Sequence, residues 1–383
     1  MRGLTKLEST LIILLIIVAI VGGYGWLLAQ QKPTSIETPE QTTPPTTEET
    51  TPPTEEITPQ PKQVIQNITF VDSAGRYITV KWPLKRVVAL STDAAEVILT
   101  LGAEDVVVGV TEYITRKPEL SKLTDRTLVG TCFKPNIEAI ISTNPEVVIT
   151  YVRWPSQEAL EEKLEPLGIK VIRLDFYKIS TLFNEVRLLG LLLNKTEEAD
   201  RFVEFWKGIL DEIQARVKKI PAEERVKVYI EGYKDYKAAG PGSGWDDDLR
   251  IAGGINIFAD SPVAYPKVSP EAVIERNPDV IIKAVSTSVF QPYKATDPSP
   301  LKEIIQAIVS RPGWDQISAV QNGRVYVISG VLSSGPRAVV GICYIAKWLY
   351  PQVFADINPE DIHKQYLETF LGVEYSGIWA YPT

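Results

Sequence analysis

Short apolar runs alternate with amphipathic stretches along most of this chain, which predicts strands alternating with helices. The runs RVVAL, VVVGV and EVVIT in the first half, and VKVYI, DVIIK and RVYVI in the second, are rich in β-branched residues. Runs that are apolar on both faces are typical of parallel strands covered by helices on both sides. Ahead of them, NITFVDSAGRYITV alternates in polarity around Asp72–Gly75 and predicts a β-hairpin.

One segment occurs twice. Asn136–Thr150, NIEAIISTNPEVVIT, aligns without a gap with Ser269–Lys283, SPEAVIERNPDVIIK. In each copy the first residue, Asn136 or Ser269, is a helix N-cap type, and Asn-Pro ends the helix because the residue before proline avoids the α region. A buried strand follows. Two copies of this half βαβ unit predict two similar α/β lobes.

The longest helical periodicity runs from Glu197 to Lys219 and predicts a helix of roughly 35 Å. We assign residues 181–222 to a helical connector between an N-terminal lobe, residues 63–180, and a C-terminal lobe, residues 223–383. The segment after Pro336 is expected to be helical and to pack on the second lobe. The predicted fold class is therefore α/β, with two lobes joined by one long helix.

The N-terminal segment, residues 1–32, is predicted to be a membrane anchor. Leu11–Ala29 contains no charge and is long enough to cross a bilayer, and Arg2 and Lys6 before it favour a cytoplasmic N-terminus. Met-Arg-Gly-Leu followed by Glu8 also resembles the archaeal class III signal, in which the apolar stretch stays on the mature protein. A cleaved secretory signal is the remaining alternative.

Composition limits the remaining possibilities. Residues 33–62 are mostly Thr, Pro and Glu and predict a disordered stalk, because they cannot bury enough apolar surface to fold. The net charge of −8 argues against a nucleic-acid partner.

Cys132 and Cys343 are expected to be two separate thiols. The single histidine, His363, excludes a multi-histidine zinc site and is expected on the surface, so we predict neither a cofactor nor a metal site.

Candidate ligand contacts come from topology, because open α/β sheets bind ligands beyond the carboxyl ends of their strands. Aromatic rings at those ends suit a planar or chelated ligand, and basic side chains suit an anionic one. For each aromatic residue, packing in the core is an equally good explanation. The candidates are Tyr113, Phe133, Lys134, Arg153 and Trp154 in the first lobe, and Tyr233, Trp245, Tyr265 and Arg337 in the second.

These segments carry a family resemblance. RVVALSTDAAEVILTLGAEDVVVGV with NIEAIISTNPEVVI, and the later WDDDLRIAGGINIFADSPVAYPKVSPEAVIERNPDVII, resemble the two lobes of class III binding proteins that serve ABC importers of ferric siderophores, haem and cobalamin. The ending GPRAVVGICYIAKWLYPQVFADINPEDIHKQYLETF is similar to archaeal iron-complex members. The resemblance implies two Rossmann-like lobes, a rigid connecting helix and a ligand in the cleft, with Trp245 and Tyr265 facing that cleft.

The resemblance also implies a role for one acidic residue in each repeat. Glu138 and Glu271 match the family carboxylates that dock on arginines of the two permease subunits. The alternative is simpler, because an acidic residue in a first helical turn is favoured by the helix dipole alone.

We therefore expect a monomeric extracellular solute-binding protein, tethered at the outer face of the cytoplasmic membrane and without enzymatic activity. It would deliver a metal chelate to an ABC permease dimer with its ATPase subunits; a ferric siderophore is favoured, with haem or a corrinoid as alternatives. A surface-tethered sensor or adhesion module of the same fold stays open. So does an extracellular hydrolase that uses carboxylates such as Asp246 and Asp248.

Overall fold

The computed structural model describes residues 66–333 and 335–383. The predicted anchor, residues 1–32, and the predicted stalk, residues 33–62, lie outside the described residues. Within the described ranges no helix is both long and apolar enough to cross a membrane.

The first lobe begins with the expected hairpin. β1 (Gln66–Val71) pairs antiparallel with β2 (Tyr77–Trp82). A five-stranded parallel sheet follows in the order β5-β4-β3-β6-β7. Its strands are β3 (Val87–Ala89), β4 (Val107–Val110), β5 (Thr127–Leu128), β6 (Val147–Thr150) and β7 (Lys170–Arg173), and its helices are α1 (Thr92–Thr100), α2 (Ile137–Ser142) and α3 (Glu161–Leu164).

The second lobe has its own five-stranded sheet, in the order β12-β11-β10-β8-β9. All neighbours are parallel except β12, which pairs antiparallel with β11. The strands are β8 (Lys227–Glu231), β9 (Ile255–Asn256), β10 (Val280–Val285), β11 (Val325–Ser329) and β12 (Ala380–Tyr381). The helices are α6 (Gly244–Ile251), α7 (Pro270–Arg276), α8 (Ser299–Val309), α9 (Ser318–Gln321), α10 (Ala338–Leu349) and α11 (Pro359–Tyr366).

The repeated segment forms the same local structure in both lobes, as predicted. The side chain of Asn136 accepts a hydrogen bond from the N–H of Ala139 at 3.0 Å, and Ser269 accepts one from Ala272 at 3.2 Å. Each helix is followed by an asparagine in the left-handed region, Asn144 with φ 48° or Asn277 with φ 41°. Asparagine tolerates this conformation better than most residues, so both helices stop there and the strand can begin.

Two helices connect the lobes. α4 (Ile179–Leu193) packs against α5 (Thr196–Val217), and the 22 residues of α5 confirm the predicted long helix. At 1.5 Å per residue α5 is about 33 Å long. Its buried face is apolar, so packing as well as the backbone hydrogen bonds stabilises it; the buried side chains include Phe202, Trp206, Leu210 and Ile213.

The C-terminal segment differs from the prediction. α10 packs on the second lobe against α6, but α11 and the π-helical turn after it (Leu367–Leu371) extend to α1 of the first lobe. There the hydroxyl of Tyr366 donates to Glu96 Oε1 at 2.9 Å and lies 3.1 Å from Thr100 Oγ1. The C-terminus therefore packs on both lobes.

The prediction that His363 is a surface residue is wrong. Its side chain is fully buried, with its ring centroid 4.5 Å from that of Trp379. Burial and the nearby positive charge of Arg337 hold the pKa of His363 well below its usual value, so the ring is neutral. His363 is covered because the segment around it folds back between the lobes, an arrangement that the polar local sequence does not reveal.

Candidate functional site

A cleft lies between the lobes, where the carboxyl ends of both parallel sheets meet. It consists of two adjoining cavities of about 390 and 450 Å³, and four residues line both: Asp93, Phe133, Tyr151 and Tyr233. We call the larger cavity the aromatic half, because its further lining includes Trp154, Tyr177, Trp245 and Tyr265. We call the smaller cavity the polar half, because its further lining includes Thr92, Arg116, Lys117, Ser286, Thr287 and Ser288.

Each lobe contributes a group of contacting aromatic rings to the aromatic half. In the first lobe the ring centroids of Phe133 and Trp154 are 5.8 Å apart, and Phe133 is 63% exposed. In the second lobe Trp245 makes edge-to-face contacts with Tyr233 at 5.4 Å and with Tyr265 at 6.1 Å. These contacts hold the rings in place while their outer surfaces stay open to the cleft. The arrangement can hold a large ligand with flat or apolar faces.

Two glycines allow the second-lobe rings to lie where they do. Gly232 directly follows β8, and a Cβ atom there would lie 2.5 Å from the indole ring of Trp245. Gly330 directly follows β11, and a Cβ atom there would overlap the hydroxyl of Tyr233. Any larger residue would displace the ring, so these glycines set the position of the aromatic wall.

Asp93 lies at the junction of the two halves, where it accepts a hydrogen bond from the hydroxyl of Tyr151 at 2.8 Å. Burial raises the pKa of Asp93 from 3.8 to about 6, and the positive charge of Lys117 partly offsets this rise. The same burial, together with the Asp93 carboxylate, raises the pKa of Tyr151 well above its usual value, so the phenol stays protonated as a donor.

Basic side chains outnumber acids in the cleft. Arg116 and Lys117 line the polar half and Lys234 and Lys237 line the aromatic half, whereas Asp93 is the one acid lining either cavity. None of the four basic groups is in an ion pair within the described part of the chain. The cleft is therefore positively charged and suits an anionic ligand.

The structure brings six of the nine candidate ligand contacts into the cleft: Tyr113, Phe133, Trp154, Tyr233, Trp245 and Tyr265. Lys134 and Arg153 are exposed residues that line neither cavity. The two lysines of the aromatic half and the basic pair of the polar half were not predicted from the sequence. Ser286–Ser288 were not predicted either, although they directly follow β10 and the strand-end rule could have identified them.

Arg337 lies elsewhere, fully buried beneath the cleft residues. Its guanidinium donates to both carboxylate oxygens of Glu96, at 2.6 and 2.8 Å, and to Glu119 at 2.9 Å. Both glutamates belong to the first lobe, and Arg337 directly precedes α10 of the second. Because Arg337 is fully buried and its Nε and Nη2 are paired with first-lobe carboxylates, we exclude it from the ligand contacts and assign it to the junction of the lobes.

The two repeat glutamates occupy matching positions. Glu138 and Glu271 are exposed, each in the first turn of the helix that precedes a central strand, β6 or β10. A helix that leads into a parallel strand runs opposite to it, so its N-terminus lies at the edge where the strands end. Each glutamate is therefore on the cleft edge of its own lobe. Lys134 lies near Glu138 in a separate surface depression of about 540 Å³.

The carboxylates considered for a hydrolase are not arranged for one. Asp248 is 1% exposed, and burial raises its pKa well above the usual value. Asp246 lies in the first turn of α6, whose N-cap is Ser243, and accepts a hydrogen bond from Asn256 at 2.7 Å. Neither lines the cleft. Among the described residues no group of three or more His, Cys, Asp or Glu side chains could hold a metal ion.

The family model described as periplasmic binding protein matches residues 87–332. An uncharacterized ABC transporter substrate-binding lipoprotein of Bacillus subtilis, YvrC, is 28% identical over 76% of this chain and 87% of its own length. The vitamin B12-binding protein of Salmonella paratyphi A is 31% identical over 52% of this chain and 72% of its own. The crystal structure of the TroA-like periplasmic binding protein FepB from Veillonella parvula superposes with a TM-score of 0.69 and 25% identity, covering 82% of this chain and 99% of that one.

Proposed function

The chain belongs to the periplasmic binding protein family, and from this premise we propose that it is the solute-binding component of an ABC importer for a metal chelate. It is a binding protein and not an enzyme, in keeping with relatives that are named for binding or substrate delivery. A ferric siderophore is the cargo we favour, and haem or a corrinoid are the alternatives.

The aromatic half of the cleft is the observation that carries this proposal. Chelates of iron or cobalt present broad flat or apolar faces, and stacked or edge-on aromatic rings bind such faces without needing a metal-ligand set of their own. Trp154, Trp245 and Tyr265 offer these rings from both lobes. The excess of basic side chains favours an anionic or neutral chelate over a free cation, which would need several His, Cys or carboxylate ligands.

Tryptophan fluorescence tests the cargo directly, because Trp154 and Trp245 line the cleft. The protein would be titrated with a ferric siderophore, haemin, cyanocobalamin, and free Zn²⁺ and Mn²⁺. We expect saturable quenching by at least one chelate and none by the free ions. In Trp245→Phe the quenching at saturating ligand should be smaller than in the unaltered protein. Trp314→Phe is the matched control, because Trp314 is buried and lies outside the cleft. Tight binding of a bare metal ion, or no binding of any chelate, would contradict the proposal.

The partner surface we propose is the cleft edge of each lobe, where Glu138 and Glu271 lie. Each glutamate would meet an arginine of a different permease subunit, because the two lobes present them at equivalent positions. We further propose that the N-terminal segment tethers the monomeric protein at the outer face of the cytoplasmic membrane. The uncharged stretch Leu11–Ala29 and the basic residues before it support this.

A further inference from the structure

The two halves of the cleft differ in chemistry, and this difference restricts the ligand. The polar half contains the hydroxyls of Ser286, Thr287 and Ser288, directly after β10, together with Arg116 and Lys117 from the first lobe. The aromatic half has no serine or threonine in its lining. A guanidinium, an ammonium and several hydroxyls around one small cavity are the donors that bind oxyanions in proteins.

The structure also holds Arg116 at this cavity. Its backbone carbonyl accepts a hydrogen bond from the side chain of Gln291 at 2.8 Å, which joins the first-lobe turn to the second lobe. Its guanidinium lies 5.6 Å from the ring centroid of Tyr113, which also lines the polar half. The hydroxyls on the opposite wall lie in a turn where Ser286 and Ser288 are hydrogen-bonded to each other at 2.7 Å. An oxyanion in this cavity would therefore contact donors from both lobes.

We propose that the ligand has two parts: an apolar or chelated body held in the aromatic half, and an oxyanion arm, a phosphodiester or a carboxylate, held in the polar half by Arg116, Lys117 and the Ser286–Ser288 hydroxyls. This inference rests on the proposed function and names its substrate class. A chelate whose charge is spread evenly around the metal would have no separate anionic group for the polar half. Ligands that would have one include a corrinoid with a nucleotide arm, a haem with propionates and a siderophore with a free carboxylate.

The test uses pairs of probes that share a body and differ in the arm. Cyanocobalamin is compared with dicyanocobinamide, which lacks the phosphodiester, and haemin with its dimethyl ester; a ferric triscatecholate without an arm is the third kind of probe. Affinities are measured by calorimetry on the full protein. We expect the arm-bearing member of at least one pair to bind about tenfold or more tightly, the effect of one charge-assisted contact.

Two charge variants separate an arm site from general attraction. Arg116→Gln should reduce the preference for the arm-bearing probe to near unity. Lys234→Gln removes one positive charge from the same cleft but from the aromatic half, so it should weaken both members of a pair equally. Equal loss of preference in the two variants, or no preference in the unaltered protein, would overturn the inference.

The outcomes also separate this inference from the proposed function. Tight binding of the ferric triscatecholate alone would leave the importer role intact and refute the oxyanion arm. Binding of no chelate by a protein whose circular dichroism is that of a folded chain would refute the proposed function, and the arm with it.

Discussion

Arg337 in the second lobe and Glu96 in the first form a buried bidentate ion pair, with Nε–Oε1 at 2.6 Å and Nη2–Oε2 at 2.8 Å. Both side chains are almost completely excluded from solvent, and Tyr366 and Glu119 add further hydrogen bonds to the same pair. The lobes are thus joined by a fixed polar contact as well as by the connecting helices. A contact of this kind resists separation of the lobes at their base.

Breaking this pair should destabilise the whole folded chain. Arg337→Met leaves two buried carboxylates, Glu96 and Glu119, without their counter-charge, and removing one partner of a buried pair typically costs about 3–5 kcal/mol. Urea unfolding measures the loss. Lys207→Met is the control, since Lys207 pairs with Asp211 on the surface, where a pair contributes about 1 kcal/mol or less. Equal unfolding midpoints for the two variants would contradict the assigned role of Arg337.

Asp93 should make stability depend on pH in a predictable direction. Its folded pKa of about 6 lies above the usual 3.8, so the folded state holds the proton more tightly than the unfolded state. The stability that this group contributes is fully present below pH 3.8 and is lost as pH rises through about 6. Asparagine does not ionise, so Asp93→Asn removes this loss of stability with rising pH. The melting temperature of the variant minus that of the unaltered protein should therefore increase between about pH 4 and about pH 7.

Asp260 supplies the control with the opposite sign. Its hydrogen-bonded ion pair with Arg276 lowers its pKa, so its contribution is present at neutral pH and is lost as pH falls. Asp260→Asn should therefore match the unaltered protein most closely in acid. If both variants changed the melting temperature with the same slope, the assignment of Asp93 as a carboxyl with a raised pKa would be wrong.

The glycines behind the aromatic wall should matter more for binding than for folding. Gly330→Ala introduces a methyl group into the position of the Tyr233 hydroxyl, and Tyr233 is 50% exposed, so its ring can swing into the cleft. We expect ligand affinity to fall about tenfold or more, the equivalent of about 1.4 kcal/mol, because a displaced ring no longer completes the wall. Ligand affinity is measured by calorimetry with a chelate that binds the unaltered protein, and stability is measured by thermal unfolding of the same sample.

Gly208→Ala is the matched control for this change. Gly208 is inside α5, and a Cβ atom there meets nothing within 4 Å. Alanine should stabilise the helix by about 1 kcal/mol and leave affinity unchanged. Unchanged affinity in Gly330→Ala would mean that Tyr233 does not contribute to the site.

The repeat glutamates should affect transport and leave cargo binding intact. Glu138→Gln and Glu271→Gln keep the side-chain shape and remove the charge, and both residues lie on the exposed edge of their lobes. Loss of one partner of an interfacial charge pair weakens association and slows its rate, and the double variant should lose more than either single one. Ligand affinity of the soluble protein is compared with ligand-stimulated ATPase activity of the reconstituted importer. An unchanged ATPase response in the double variant would leave only the helix-dipole explanation.

Removing residues 1–62 should leave a soluble, monomeric protein that binds its ligand fully. Residues 33–62, mostly Thr, Pro and Glu, offer too little apolar surface to contribute to a core. Light scattering and calorimetry on the shortened and full-length chains measure mass and affinity. A shortened chain that fails to fold would show that the N-terminal region is part of the folded body.

The sequence predicted those parts of the molecule that local interactions determine. Asn136 and Ser269 cap their helices through residues only three positions away, and the apolar runs mark buried strands without reference to their neighbours. Arg337 could not be placed in this way, because its partner Glu96 is 241 residues distant in the chain. His363 was misplaced for a related reason, since a short polar helix is usually exposed unless another part of the chain covers it.

The cleft was predicted in outline and missed in detail. The strand-end rule identified aromatic residues such as Tyr233, which lies just after β8, and Trp154, which lies just after β6. Trp245 and Tyr265 lie further from a strand end, and the family resemblance supported them. Arg116 is the last residue of a 3₁₀ turn (Glu112–Arg116) and Lys117 follows it, so the positions of both depend on how that turn packs after β4. Lys134 and Arg153 were chosen by the same rule and point elsewhere, since a residue near a strand end can face the rim as readily as the interior.

The contact of Tyr366 with Glu96 and Thr100 has a consequence for biosynthesis. Ribosomes add about 5–20 residues per second, so α11 is synthesised roughly tens of seconds after α1, the helix that it covers. During that interval the outer face of α1 lacks its cover, and the first lobe cannot reach its final form until translation is nearly finished. A chain that stops before residue 359 would therefore leave α1 of the first lobe without this cover.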